Sequence, residues 1–194
     1  MHDQDSVDPY VDPRTGVFVN LLGITDANRL AAADVDFAYR CTVELFSRPA
    51  LGRFDLAHLR AIHRHLFGDV YPWAGELRTV NIGKGDTDFA PLQFMERYAV
   101  SIFADLAKEG HLKRLNADAF AQRAAHYLAE INTIHPFREG NGRTQREFMR
   151  QLARHAGFAL SWQNLSQEDM IAASIAGMND DLDPLQSVLR ARLG

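Results

Sequence analysis

The run His135-Pro136-Phe137-Arg138-Glu139-Gly140-Asn141-Gly142-Arg143-Thr144-Gln145-Arg146 sets an imidazole, a carboxylate, two glycines around an asparagine and spaced arginines into one short stretch. Proline disfavours α geometry at the residue before it, so the preceding helix should end at or near His135 and present the imidazole at its terminus. A second helix should open at the glycines, where unpaired backbone N–H groups make an anion site. Gly140 and Gly142 let the backbone come close to phosphate oxygens, and Asn141 can cap the new helix or turn its amide toward a ligand. Arg143 and Arg146, three apart, can hold the outer phosphates. Glu139 is a hard oxygen ligand suited to the Mg²⁺ that accompanies ATP. His135, with an ordinary pKa of about 6.5, suits proton removal from an attacking hydroxyl. Taken singly, a His before a proline is a packing or surface residue and Gly-Asn-Gly is a turn; the combination points to a nucleotide site with chemistry beside it.

Around this run the apolar pattern is helical. Asp26 is expected to cap a helix reaching about Phe46, with Ala33, Phe37, Cys41 and Leu45 inward. A second should start near Asp55 with Leu59, Ile62 and Leu66 inward and end before Gly68. A third over 93–108 carries Met95, Tyr98, Ile102 and Leu106, and Asn116 caps a fourth in which Phe120, Ala124, Leu128 and Ile131 lead to His135. After the run, Phe148, Leu152 and Ala156 face inward until Gly157 stops the helix. Ser166 with Asp169 resembles a further helix start, and a short helix should follow near Pro184. Residues 1–24 read as loop, with turn signals at Asp8-Pro9 and Asp12-Pro13. One segment breaks the pattern: Arg78-Thr79-Val80-Asn81-Ile82 alternates, Gly83-Lys84-Gly85-Asp86 reads as a turn and Thr87-Asp88-Phe89 returns, which predicts a hairpin. The expected architecture is all-α with this hairpin beside the site.

Composition bounds the function. The chain has 194 residues, 46% hydrophobic and 24% charged, with a formal net charge of −4, which suits one globular domain with a substantial core. No basic run occurs, so gripping nucleic acid is not the expected business. Cys41 is the single cysteine, which rules out an internal disulfide and fits a reducing compartment. Met1-His2-Asp3 offers no basic region before an apolar one, and no apolar run approaches membrane length. A cytoplasmic protein without a membrane segment is expected. His58, His63 and His65 are spaced five and two apart, so they do not share a helix face as a zinc pair would and read as structural or surface residues. Trp73 and Trp162 read as packing residues, and the arginines at 143, 146, 150 and 154 as one edge of an amphipathic helix.

The central run matches without a gap the HPFx(D/E)GNGRxxR signature of the Fic family. The resemblance extends over about 10–165, including Asn20-Leu21-Leu22-Gly23-Ile24-Thr25-Asp26 and Tyr71-Pro72-Trp73-Ala74-Gly75-Glu76-Leu77-Arg78. It implies one Fic domain over 1–194, with 166–194 as a helical extension, and a Fic-type bundle with a flap hairpin. It further implies transfer of AMP from ATP to a Ser, Thr or Tyr hydroxyl of a protein, with His135 as base and Glu139 on Mg²⁺. The flap, at Val80, Asn81, Ile82, Gly83 and Lys84, would register the target by pairing along its free edge.

Two other readings stand beside this one. The Doc branch of the superfamily transfers the γ-phosphate and has lysine where this chain has Gly142, and an inert nucleotide-binding module would normally have lost His135 or a glycine. Many Fic proteins carry an inhibitory (S/T)xxxE(G/N) helix whose glutamate pairs with the second motif arginine, here Arg146. No Ser or Thr of this sequence is followed by Glu at the fourth position; Ser101 comes nearest, with Asp105 and then Leu106. The chain therefore resembles the toxin class whose glutamate comes from a separate small antitoxin. Some such toxins modify DNA gyrase or topoisomerase IV.

Overall fold

The computed structural model describes residues 8–84 and 87–194, with the side chains of Lys84 and Thr87 outside that description. Met1-His2-Asp3 and the expected turn residues Gly85 and Asp86 lie outside the described residues. The described chain is helical. Its elements are α1 (Ala27–Ser47), α2 (Leu56–Phe67), β1 (Gly83–Lys84), β2 (Thr87–Asp88), α3 (Leu92–Lys108), a 3-10 turn (Gly110–Leu112), α4 (Ala117–Ile134), α5 (Asn141–Ala156), α6 (Gln167–Met178) and α7 (Asp183–Arg190).

The helix starts are local capping chemistry. Asp26, Asp55, Asn116 and Ser166 each accept a hydrogen bond from the backbone N–H three residues on, which satisfies a donor the first turn leaves open. Gly157 ends α5 in the left-handed region, at φ 97°. α4 lies at the centre, packed by α3, α5, α6 and α7, while α2 packs on α1 and α5. Phe120, Leu128, Ile131 and Ile134 of α4 and Phe148 and Leu152 of α5 are buried together, and this core fixes the two helix ends between which the central run lies. No described helix is long and apolar enough to cross a membrane.

Four expectations change. On α1 the buried line is Leu30, Asp34, Ala38, Cys41 and Leu45, so the face is turned by one residue from the Ala33 and Phe37 expectation, both of which are half-buried. Asp34 shares this face, its carboxylate paired with an arginine of α5. On α3, Ala99 is buried where Tyr98 was expected; Tyr98 stays at the surface, its hydroxyl bonded to Glu130. Ala156, the last inward position expected on α5, is only half-buried. The hairpin is the largest change. Residues 78–82 form no strand, and the ladder consists of Gly83 opposite Asp88 and Lys84 opposite Thr87. Gly83 and Lys84 are therefore strand rather than turn. Arg78 explains this: it is 2% exposed, and its guanidinium donates to the carbonyls of Val80 and Ala90. An arginine satisfies these carbonyls in place of a partner strand.

Candidate active site

His135 follows the last turn of α4 in a left-handed conformation, φ 43° and ψ 64°. That conformation costs energy for a residue with a Cβ, and its surroundings hold it. Arg78 donates to the His135 carbonyl at 2.8 Å and to that of Ile134 at 3.3 Å, covering carbonyls that the end of α4 leaves open. The Phe89 ring stacks on the imidazole at 3.7 Å between centroids, 17° from parallel. Nδ1 lies 3.3 Å from the Asn132 carbonyl; a proton there leaves the lone pair on Nε2.

The loop onward is braced from within. Asn141, the first residue of α5, is 3% exposed; its amide accepts from Phe137 N at 2.9 Å and donates to Phe137 O at 2.7 Å. Its side chain is thus a loop tie rather than a helix cap, and Gly140 holds the cap position with φ 79°. Phe137 stacks on His63 of α2 at 3.9 Å. His63 Nε2 donates to the Glu139 carbonyl at 2.9 Å while its Nδ1 accepts from Gly75 N at 2.8 Å. That pair of bonds requires a neutral ring, and burial, opposed in part by the bond to Glu139 and helped by the charge of Arg143, pushes the His63 pKa down to about 4. His58, also buried, is tied to Phe54, Ala50 and Gln151.

Charge gathers at the start of α5. The half-exposed carboxylate of Glu139 accepts from Gly140 N at 2.9 Å and lies 3.5 Å from the Arg143 guanidinium. Arg143 donates at 2.8 Å to Asp34, and its guanidinium lies 4.6 Å from the Phe67 ring centroid. Arg146 has its pKa lowered, first by burial and then by the like charge of Arg143. Its carbonyl accepts from the Trp162 indole at 2.9 Å. The N-terminus of α5 adds the positive end of a helix dipole. The arrangement suits a polyanion such as a triphosphate. Glu139 is a half-exposed carboxylate beside it and could share a divalent cation with such a ligand, since Mg²⁺ takes one or two protein carboxylates and otherwise phosphate and water oxygens.

The central run is therefore brought into one site. Val80, Asn81, Ile82, Gly83 and Lys84 lie along the hairpin and its approach, which Phe89 and Arg78 join to His135. Asn81 caps α3, accepting from Leu92 N at 3.0 Å. Sequence reasoning passed over Asp34, His63 and Arg78 as site residues. Asp34 had a signal: it stands in the middle of the Leu30, Ala38, Leu45 line, where a carboxylate needs a buried partner. A separate donor set, Cys41, Glu44 and His65, has its ligand atoms within 4.8 Å of one another. It is a surface carboxylate–imidazole pair, 3.3 Å apart, beside a thiol whose pKa is raised by burial and by the charges of Glu44 and Asp69.

The family model described as Fic/DOC family matches residues 53–153. Protein adenylyltransferase VbhT of Bartonella schoenbuchensis is 47% identical over 190 residues, which are 98% of this chain and 40% of that protein. The chain thus spans less than half the length of that relative. "Probable protein adenylyltransferase Fic" of Salmonella typhimurium is 43% identical over 185 residues, 94% of this chain and 90% of that protein. Among solved structures, the BepC effector protein of Bartonella tribocorum with bound AMPPNP matches with a TM-score of 0.86 and 26% identity, over 95% of this chain and 96% of that one. The N-terminal Fic domain of a Bartonella quintana effector with bound ADP gives a TM-score of 0.87 at 28% identity, over 95% and 94% of the two chains.

Proposed function

The chain belongs to the Fic/DOC family, and on that premise we propose that it is a protein adenylyltransferase, moving AMP from ATP to a Ser, Thr or Tyr hydroxyl of a target protein. The observation that carries the reading is the intact loop between α4 and α5: a stacked imidazole at one end, and the arginine-flanked start of a helix at the other. Relatives named as protein adenylyltransferases and nucleotide-bound Fic structures support it.

The phosphates lie over the backbone of Gly140, Asn141 and Gly142, with Arg143 and Arg146 on the outer two. His135 takes the proton of the target hydroxyl as its oxygen bonds to the α-phosphorus. The bond from that phosphorus to the bridging oxygen breaks, and pyrophosphate leaves against the arginines. Most of the acceleration comes from positioning and charge stabilisation. Glu139 would hold Mg²⁺, which when bound neutralises charge across the phosphate oxygens. The hairpin edge from Val80 to Lys84 aligns an extended target segment. Glycine at 142, where the γ-transferring branch has lysine, favours AMP.

The wider role we infer is that of a toxin in the bacterial cytoplasm, with DNA gyrase and topoisomerase IV as the first targets to try and a small antitoxin whose glutamate pairs with Arg146. The test is incubation of the chain with lysate or purified topoisomerases and ATP labelled on the α- or the γ-phosphate. We expect α-label on protein with the wild type and none with His135→Ala, which should still fold and bind ATP. Transfer of γ-label would make the chain a kinase. No label from either would leave it a binding module.

A further inference from the structure

We propose that Asp34 is a positioning residue that holds Arg143 in the arrangement that meets the nucleotide phosphates; this rests on the proposed nucleotide site. Asp34 lies on α1, outside the residues matched by the family model, and meets Arg143 across 109 residues of sequence. Its side chain is 8% exposed and that of Arg143 26%. A carboxylate that deep is expensive unless it is paired, so a guanidinium is required opposite it. Asp34 Oδ2 takes the Arg143 Nη2 bond, and the Tyr71 hydroxyl also bears on this carboxylate.

The remaining surroundings of Arg143 say what the pair is for. The Phe67 ring lies against the guanidinium. The other carboxylate against Arg143, Glu139, is half-exposed and is the candidate cation ligand. Once Glu139 turns to a cation, Asp34 is the described carboxylate that still fixes Arg143. An arginine held at Nη2 and supported on its face, with its side chain 26% exposed, keeps part of its fork open to a further acceptor from the solvent side. A phosphate oxygen is the acceptor that the proposed reaction brings there.

Asp34 is negative and close to a bound triphosphate. If it acted only through its charge, removing it would tighten ATP binding, whereas a positioning role predicts weaker binding. The experiment is calorimetric measurement of ATP and AMP affinity for the wild type, Asp34→Ala, Asp34→Asn, Arg143→Ala and the Asp34→Ala/Arg143→Ala pair, with the melting temperature of each. We expect Asp34→Ala to weaken ATP by about tenfold and to leave AMP, which lacks the outer phosphates, nearly unchanged. Asp34→Asn, which keeps the shape and an acceptor oxygen, should fall between wild type and alanine, and it serves for the comparison if the alanine variant does not fold. In the Arg143→Ala background the Asp34→Ala change should have little further effect on ATP. Equal losses for ATP and AMP, the same loss with and without Arg143, or tighter ATP binding would each overturn the assignment while leaving the nucleotide site standing. A wild-type chain that binds no ATP overturns both.

Discussion

A Cβ on Gly140 would lie 2.4 Å from Cε2 of Phe67, and the residue has φ 79°. On Gly142 the nearest atom to such a Cβ is Arg146 Nη1 at 3.5 Å, an ordinary contact. The first glycine is therefore needed by the fold, and the second has no structural requirement within the chain. Gly140→Ala should destabilise by about 1–3 kcal/mol through strain and overpacking, seen as a lower melting temperature. Gly142→Ala should melt at or above the wild-type temperature, because alanine is the better helix residue by up to about 1 kcal/mol. Its ATP affinity should nonetheless fall by about tenfold, since the methyl group stands where the phosphates approach. Equal ATP affinity for Gly142→Ala and the wild type would remove the phosphates from that helix start. The pattern Gly-Asn-Gly was read as an anion cradle, and what each of its residues does within the loop was not legible. Asn141 shows why: its amide could face a ligand or the loop, and only the placement of the Phe137 backbone decides.

Between α2 and the loop before α5, one neutral imidazole does the joining. His63 has its pKa pushed from 6.5 down to about 4, chiefly by burial. A histidine with a depressed folded pKa binds fewer protons than in the unfolded chain between those two values. Its contribution is thus fully present above about 6.5 and is lost as pH falls toward 4. Urea unfolding should show stability dropping over that window, and His63→Gln should flatten the slope by up to one proton, about 1.4 kcal/mol per pH unit. His58 and His155, also depressed mainly by burial, act in the same direction, so the comparison must be the slope of variant against wild type. An unchanged slope in His63→Gln would mean that the ring is solvated. At this scale the helices were legible because caps and apolar spacing are local: the Asp26, Asp55, Asn116 and Ser166 caps all form. The strand expected at 78–82 was not, because alternation cannot tell a ladder from a loop whose carbonyls are taken by a buried Arg78. For the same reason Tyr98 was placed inward: its hydroxyl partner, Glu130, belongs to another helix.

Across the whole molecule, the residues that build the site and those that keep it rigid lie far apart in the chain. α1 supplies Asp34, and α6 and α7 pack on α4, the helix that His135 follows. Leu185 and Leu189 are fully buried, Met170 and Ala173 nearly so. A Cβ on Gly177 would meet Leu185 Cδ1 at 2.7 Å and Ala129 Cβ of α4 at 3.2 Å, so α6 approaches closely there. The segment after α5 is joined to the far end of the described chain: Ala159 N donates to Gly194 O at 3.0 Å and Gly194 N to Ala159 O at 2.9 Å. Arg190 pairs with Asp118 near the start of α4. Each buried leucine is worth about 1.5–3 kcal/mol, and their sum, with the exposure of the α4 face beneath, is comparable to a typical domain stability of about 5–15 kcal/mol. A chain ended at Leu165 should therefore lose its cooperative melt and its ATP binding together, although it keeps every residue of the central run. The check is circular dichroism melting and calorimetry on the shortened chain. A cooperative melt within a few degrees of the wild type, with ATP affinity intact, would make α6 and α7 a dispensable extension; joint loss would show that the position of His135 depends on helices that contribute no group to the chemistry.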